Sequence, residues 1–131
     1  MKTVNPSPQQ LDEFANLPDT GPFVMINLLK FRATAANKAE SGEAAYTRYM
    51  INVAPLLEKA GGRLIWMGSV KQVFIGTPEN SWDRVLLVEY PSRKAFLDMV
   101  SAPEYQEVHQ DREAGLENSA LLVTKTEAGL R

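Results

Sequence analysis

One nine-residue run, Phe23–Phe31 (FVMINLLKF), limits what this chain can fold into more than any other feature. Its two alternating faces are both apolar, with Val24, Ile26 and Leu28 on one and Met25 and Leu29 on the other. A strand apolar on both sides needs a layer above and a layer below. Only Asn27, in the middle, and Lys30, near the end, interrupt the pattern. The chain's 131 residues suffice for one domain with a modest core.

Around this strand the periodicities alternate. Upstream, Ser7, Pro8 and Gln10 form a capping-box start, Leu11 and Phe14 give a short apolar stripe, and Pro18 stops it. After a soft stretch over 33–42, apolar side chains recur with helical spacing from about Glu43 to Ala60, at Tyr46, Tyr49, Met50, Val53, Leu57 and Ala60. Pro55 lies inside this helix and is expected to loosen it, and Gly61-Gly62 end it. Residues 63–76 read as a long second strand with a bulge at Gly68, and residues 82–90 as a third. Pro91-Ser92 launches a short helix through Phe96, Met99 and Val100. Ser101 with Glu104 predicts a capping box for a further helix, Pro103–Gly115. Residues 119–125 close the series as a strand.

The order is β-α-β-β-α-β, an α+β, ferredoxin-like arrangement of four antiparallel strands with helices on one face, preceded by a short N-terminal helix. Residues 1–20 are expected to be a helical extension and 21–131 a single ferredoxin-like domain. Too few elements are left to cover the bare apolar face. A second copy is the simplest cover, which predicts a homodimer packed sheet to sheet.

Composition narrows the chemistry. The absence of cysteine removes disulfides, thiol nucleophiles and cysteine-bound metals, and a single histidine, His109, removes a multi-histidine site; no metal and no cofactor are expected. Fourteen basic against sixteen acidic residues, with no Lys/Arg run, argue against nucleic acid as a partner. No apolar stretch approaches membrane-spanning length, and the opening MKTVNPSPQQ lacks a secretory core, so no membrane partner and a cytoplasmic location are expected. Phosphate-loop and dinucleotide motifs are absent.

The candidate site residues lie mainly on two helices. With Tyr105 at zero and ~100° per residue, Val108, His109, Arg112 and Leu116 fall on one stripe, which places Arg112 among apolar neighbours. A buried guanidinium needs a carboxylate, a carbonyl cage or an anionic ligand. Arg112 is thus a candidate ligand anchor, with an ion pair to Glu89 or Asp83, or snorkelling to the surface, as the structural alternative. His109 is a candidate proton carrier or an ordinary half-buried histidine. Asn27 must satisfy its amide, either by orienting a ligand oxygen, which makes it a candidate catalytic and binding residue, or locally. Tyr46 and Tyr49 are candidate ligand contacts or plain core. Trp66 and Trp82 are flat surfaces for stacking or simply dimer and core packing, with core packing the expectation.

The runs INLLKF, Ala45-Tyr46, Tyr49, LLEKAGGR, VEYPS and SAPEYQ, together with Arg112, resemble the DUF1330 family. Ala102, inserted before Pro103, and the longer N-terminus depart from that pattern. The resemblance implies a dimeric α/β-barrel but little chemistry, because the family's function is unknown and its wider superfamily holds haem-degrading monooxygenases, isomerases and binding modules. Three alternatives follow. The first is a cleft between sheet and helices that binds a small anionic or oxygenated molecule, as a binder or a cofactor-free enzyme. The second is a haem-related or cofactor-free monooxygenase, and the third a non-catalytic dimeric module.

Overall fold

A computed structural model describes residues 2–77 and 81–129. The elements run α1 (Pro8–Asn16), β1 (Phe23–Phe31), α2 (Gly42–Lys59), β2 (Arg63–Ser69), β3 (Arg84–Tyr90), α3 (Arg93–Ser101), α4 (Pro103–Gly115) and β4 (Leu116–Thr124). One antiparallel sheet is ordered β2-β3-β1-β4, so the fold is ferredoxin-like, as the element order predicted. The predicted turn around 78–80 lies outside the described residues.

Register decides which side chains share a face. Met25 is paired with Val88, Asn27 with Leu86 and Phe23 with Tyr90. These residues point toward the helices, where Phe23, Met25, Leu29, Leu86, Val88, Tyr90 and Leu116 are buried with Tyr46, Tyr49, Val53, Met99 and Tyr105. The α2 stripe predicted from periodicity is the stripe that packs. Pro55 is exposed and α2 continues through it, so the carbonyl deprived of a donor can be hydrated.

The opposite face carries Val24, Ile26 and Leu28 from β1, Val85 and Leu87 from β3, Trp66 from β2, and Ala120 and Leu122 from β4. Trp66 and Leu122 are exposed there, and the others are half-buried. Trp66 is therefore not core packing within this chain. Its indole lies over Gly68, where an added Cβ would meet ring atoms at 2.4 and 2.6 Å.

Four local expectations are corrected. β2 stops at Ser69 rather than at Gly76, because its partner β3 begins only at Arg84; the last link is Val70 N–H to the Asp83 carbonyl, 3.0 Å. An apolar pattern alone cannot sustain a strand without a neighbour. The bulge falls between Leu64 and Trp66, not at Gly68, and Gly68 instead makes room for the indole. Ser101 does not cap α4: it belongs to the last turn of α3, and Ala102 ends one helix and starts the next with no side-chain cap. Pro103 at the first position supplies the stop and the restart. β4 also begins three residues earlier than expected, at Leu116, directly after α4.

Candidate functional site

α2 and α4 pack against each other over the sheet, and the candidate residues Tyr46, Tyr49 and Arg112 lie buried between them. Outside, Arg48 clamps the pair by donating to Glu40 and to Asp111, the latter at 2.9 and 3.0 Å. The Arg48 guanidinium holds the Glu40 carboxyl down to about 2.

Inside, the aromatic rings form a chain. Phe31 lies 5.6 Å from Tyr46, Tyr46 lies 5.3 Å from Tyr49, and Tyr105 lies 6.3 Å from Tyr49 and 5.5 Å from His109, between ring centroids. The Tyr49 and Tyr105 hydroxyls are 3.0 Å apart and hydrogen-bonded. Burial pushes the Tyr46 phenol up to about 12 and raises Tyr49 well above the usual range. Both therefore stay protonated near neutrality and offer hydrogen-bond donors rather than bases. Tyr105 escaped the sequence reading as a site residue, although its place on the Arg112 stripe was the available signal.

The hydroxyl pair gives a direct prediction. Tyr49→Phe or Tyr105→Phe alone leaves one buried hydroxyl without its partner and should cost about 1–2 kcal/mol. The double variant should cost less than the sum by about 1 kcal/mol, because both groups leave together. Urea unfolding of the four proteins measures this. Strict additivity would show that the two hydroxyls do not depend on each other.

Arg112 is 6% exposed. Its Nη1 donates to the Val4 carbonyl at 2.6 Å and its Nη2 to Ser119 Oγ at 3.5 Å. No carboxylate lies within ion-pair range of it among the described residues. Glu89 pairs with Arg63 instead, and Asp83 accepts the Phe31 N–H at 2.8 Å. Of the ways to satisfy a buried guanidinium, this fold uses a carbonyl and a hydroxyl. Its field still reaches Tyr46, Tyr49 and His109, opposing the upward shift of the phenols. Nothing in the sequence marked Val4 as the partner, since the two residues are 108 positions apart.

His109 sits at the edge of this group, its Nδ1 3.2 Å from Glu113 Oε1. Burial lowers its pKa below the usual value; Glu113 pulls it back up, and Arg112 adds to the lowering. The neutral ring is thus favoured near pH 7, and with Nδ1–H donating to Glu113, Nε2 carries the lone pair that can take a proton. Asn27 faces the helices with Met25 and Leu29 but donates to the Met25 carbonyl of its own strand, 3.1 Å. Its hydrogen bond to the chain is thus the local one.

A cavity of 380 Å³ lies elsewhere, lined by Phe31, Arg32, Ser41, Glu43, Asp83 and Arg84 among others. It contains none of Asn27, Tyr46, Tyr49, His109 and Arg112. Arg84 in its wall is bonded to Glu43 at 2.7 Å and lies over the Phe31 ring. No group of three or more His, Asp or Glu side chains suited to a metal occurs among the described residues, and no helix among them is long and apolar enough to cross a membrane.

This geometry defines a ferredoxin-like α+β protein with a buried cationic and phenolic cluster between sheet and helices. The chain belongs to the DUF1330 family, described as a domain of unknown function, which matches residues 35–126. That match begins after β1 and includes α2, α4 and β4. A protein of unknown function from Rhodopseudomonas palustris is 34% identical and superimposes with a TM-score of 0.91 over 98% of this chain and 100% of its own. A dimeric protein of unknown function with a ferredoxin-like fold from Bacteroides fragilis shares the fold at 16% identity, with a TM-score of 0.55 over 80% of this chain and 96% of its own. A dabb family protein with a ferredoxin-like fold from Mesorhizobium loti does so at 12% identity and a TM-score of 0.52, over 83% of this chain and 100% of its own. No curated protein matches the chain.

Proposed function

We propose that this protein is a homodimer, packed through its open sheet faces, that binds a small organic anion or carbonyl compound between sheet and helices. Arg112 is the anion anchor, the Tyr49–Tyr105 hydroxyl pair has one O–H left to donate beside it, and Tyr46 packs against the ligand. Asn27 orients a ligand oxygen, and His109 moves a proton if a reaction follows. The observation that carries the reading is Arg112 itself: a buried guanidinium whose acceptors are a carbonyl and a hydroxyl, with no carboxylate in range among the described residues. Neutral acceptors leave a full positive charge uncompensated, and an anionic ligand would form charge-assisted bonds roughly twice as strong.

The dimer is supported by the apolar open face, where Ile26, Leu28, Val85, Leu87, Trp66 and Leu122 lie together without a covering layer among the described residues. The dimeric relative from Bacteroides fragilis supports it by analogy. Haem chemistry gains no support. Neither the 380 Å³ cavity nor the 340 Å³ cavity beside Trp82 is lined by Asn27 or His109.

Calorimetric titration with small carboxylates, benzoate first, tests the anchor. Arg112→Lys keeps the charge but loses the planar fork and should weaken binding about tenfold. Arg112→Ala should weaken it about a hundredfold or more. Native mass spectrometry of gently purified protein tests the rest, with a dimer carrying additional small-molecule mass as the expected species. Binding that is indifferent to both substitutions would remove Arg112 from the site.

A further inference from the structure

The N-terminal residues 2–5 lie across the Arg112 cluster in an arrangement that the binding reading does not use. The Thr3 N–H donates to Asn118 Oδ1 at 2.8 Å, and the Thr3 carbonyl accepts the Ser119 N–H at 2.7 Å and the Ser119 hydroxyl at 3.1 Å. The Val4 carbonyl then meets Arg112 Nη1, while the Val4 side chain packs on the edge of the core. Asn5 Nδ2 donates to Glu113 Oε2 at 2.8 Å, the same carboxylate whose other oxygen meets His109. Lys2 pairs with Glu117 at 3.2 Å.

We propose that residues 2–5 are a displaceable strap, whose Val4 carbonyl occupies the anion subsite of Arg112 until a small carboxylate replaces it. This rests on the reading of Arg112 as the ligand anchor. Two observations carry it. The Val4 carbonyl is placed on the guanidinium as a ligand oxygen would be, yet it brings only a dipole. A carboxylate brings a full charge to the same donor.

Elsewhere the strap is held by the Thr3–Ser119 bonds and the Val4 side chain, and its remaining contacts are at the surface. The Lys2–Glu117 pair is 66% and 34% exposed, and the Asn5 and Thr3 N–H bonds are at the surface, where such contacts contribute little. The strap can leave without unravelling α1. The Ser7–Gln10 capping box closes that helix on its own, and α1 is anchored separately by Phe14 against Phe23 and Phe96. Pro6 separates the two segments. Release would free Arg112, Ser119 and the Glu113–His109 pair together, so one motion opens the anchor and the proton carrier.

The test compares the full chain, a variant lacking residues 2–5, and Asn5→Ala, each titrated with benzoate. Deletion should tighten binding about tenfold and Asn5→Ala about threefold, because the competitor is removed or loosened. Equal affinity in all three overturns the strap and leaves the anchor standing. No binding by any of them overturns both. If the deletion variant fails to fold, hydrogen exchange of the full chain decides. The Ser119 amide, which donates to Thr3, should exchange about fivefold or more faster at saturating benzoate. Unchanged or slower exchange there would overturn the strap.

Discussion

Gly42→Ala should be among the most damaging single substitutions in this protein, destabilising it by about 3 kcal/mol and lowering Tm by roughly 10 °C. At Gly42 the start of α2 runs directly onto the main chain. Its N–H donates to the Arg32 carbonyl at 3.0 Å, and the Arg32 N–H in turn donates to the Gly115 carbonyl at 2.9 Å. A Cβ added at Gly42 would stand 2.3 Å from the Arg32 oxygen and 2.5 Å from the Gly115 oxygen. One added at Gly115 would stand 2.5 Å from the Gly42 oxygen. No side-chain tip is available to move aside. To admit a methyl group, the ends of β1 and α4 must separate from the start of α2, which breaks the bonds that join them. Thermal unfolding followed by far-UV circular dichroism measures the loss. Gly129→Ala is the control, since its Cβ would meet only Thr126 Cγ2 at 3.9 Å. A Gly42→Ala variant that melts within 2 °C of the parent, well inside the shift expected for about 1 kcal/mol, would refute the close-approach account.

The second large effect concerns assembly. Leu87 occupies the open face, paired in register with Ile26 on one side and Trp66 on the other. It points away from the helical core, so its replacement leaves that core untouched. In a dimer joined through this face, Leu87→Asp would bury a carboxylate with no partner in each subunit. Such a charge costs several kcal/mol, enough to raise the dimer dissociation constant by about a hundredfold or more. Sedimentation velocity on the parent and the variant checks this. The parent should run as a dimer and Leu87→Asp as a folded monomer. A parent that is monomeric at all concentrations, or a variant that stays dimeric, would remove the open face as the interface.

Much of the scaffold was legible before any coordinates. Ser7, Pro8 and Gln10 announced α1, and its capping box is formed as read. The 23–31 strand has the expected ends. The α4 stripe correctly grouped Tyr105, His109 and Arg112 on the buried side, because 3.6-residue periodicity is a local property. Less legible were features that depend on a distant neighbour. β2 looked seven residues longer than it is, since alternation continues through Val73 and Ile75 while the β3 ladder does not. Ser101 looked like a cap, but Ala102 takes that position at the α3–α4 junction.

The candidate site divides along the same line. That Arg112 lies on the core-facing stripe, and that a buried guanidinium there must be satisfied, followed from the chain alone; that it is buried rather than snorkelling to the surface is a property of the packed structure. Which group satisfies it did not follow from the chain: the Val4 carbonyl lies 108 positions away, and the Ser119 hydroxyl, though seven residues on, is brought back by the α4–β4 reversal; the Tyr49–Tyr105 bond and the Gly42–Gly115 crossing likewise join distant segments. Periodicity, capping and turn chemistry act over a few residues and are written in the order of side chains. The partners of buried polar atoms and the space left for a Cβ are set when whole elements dock, so only the tertiary structure decided them.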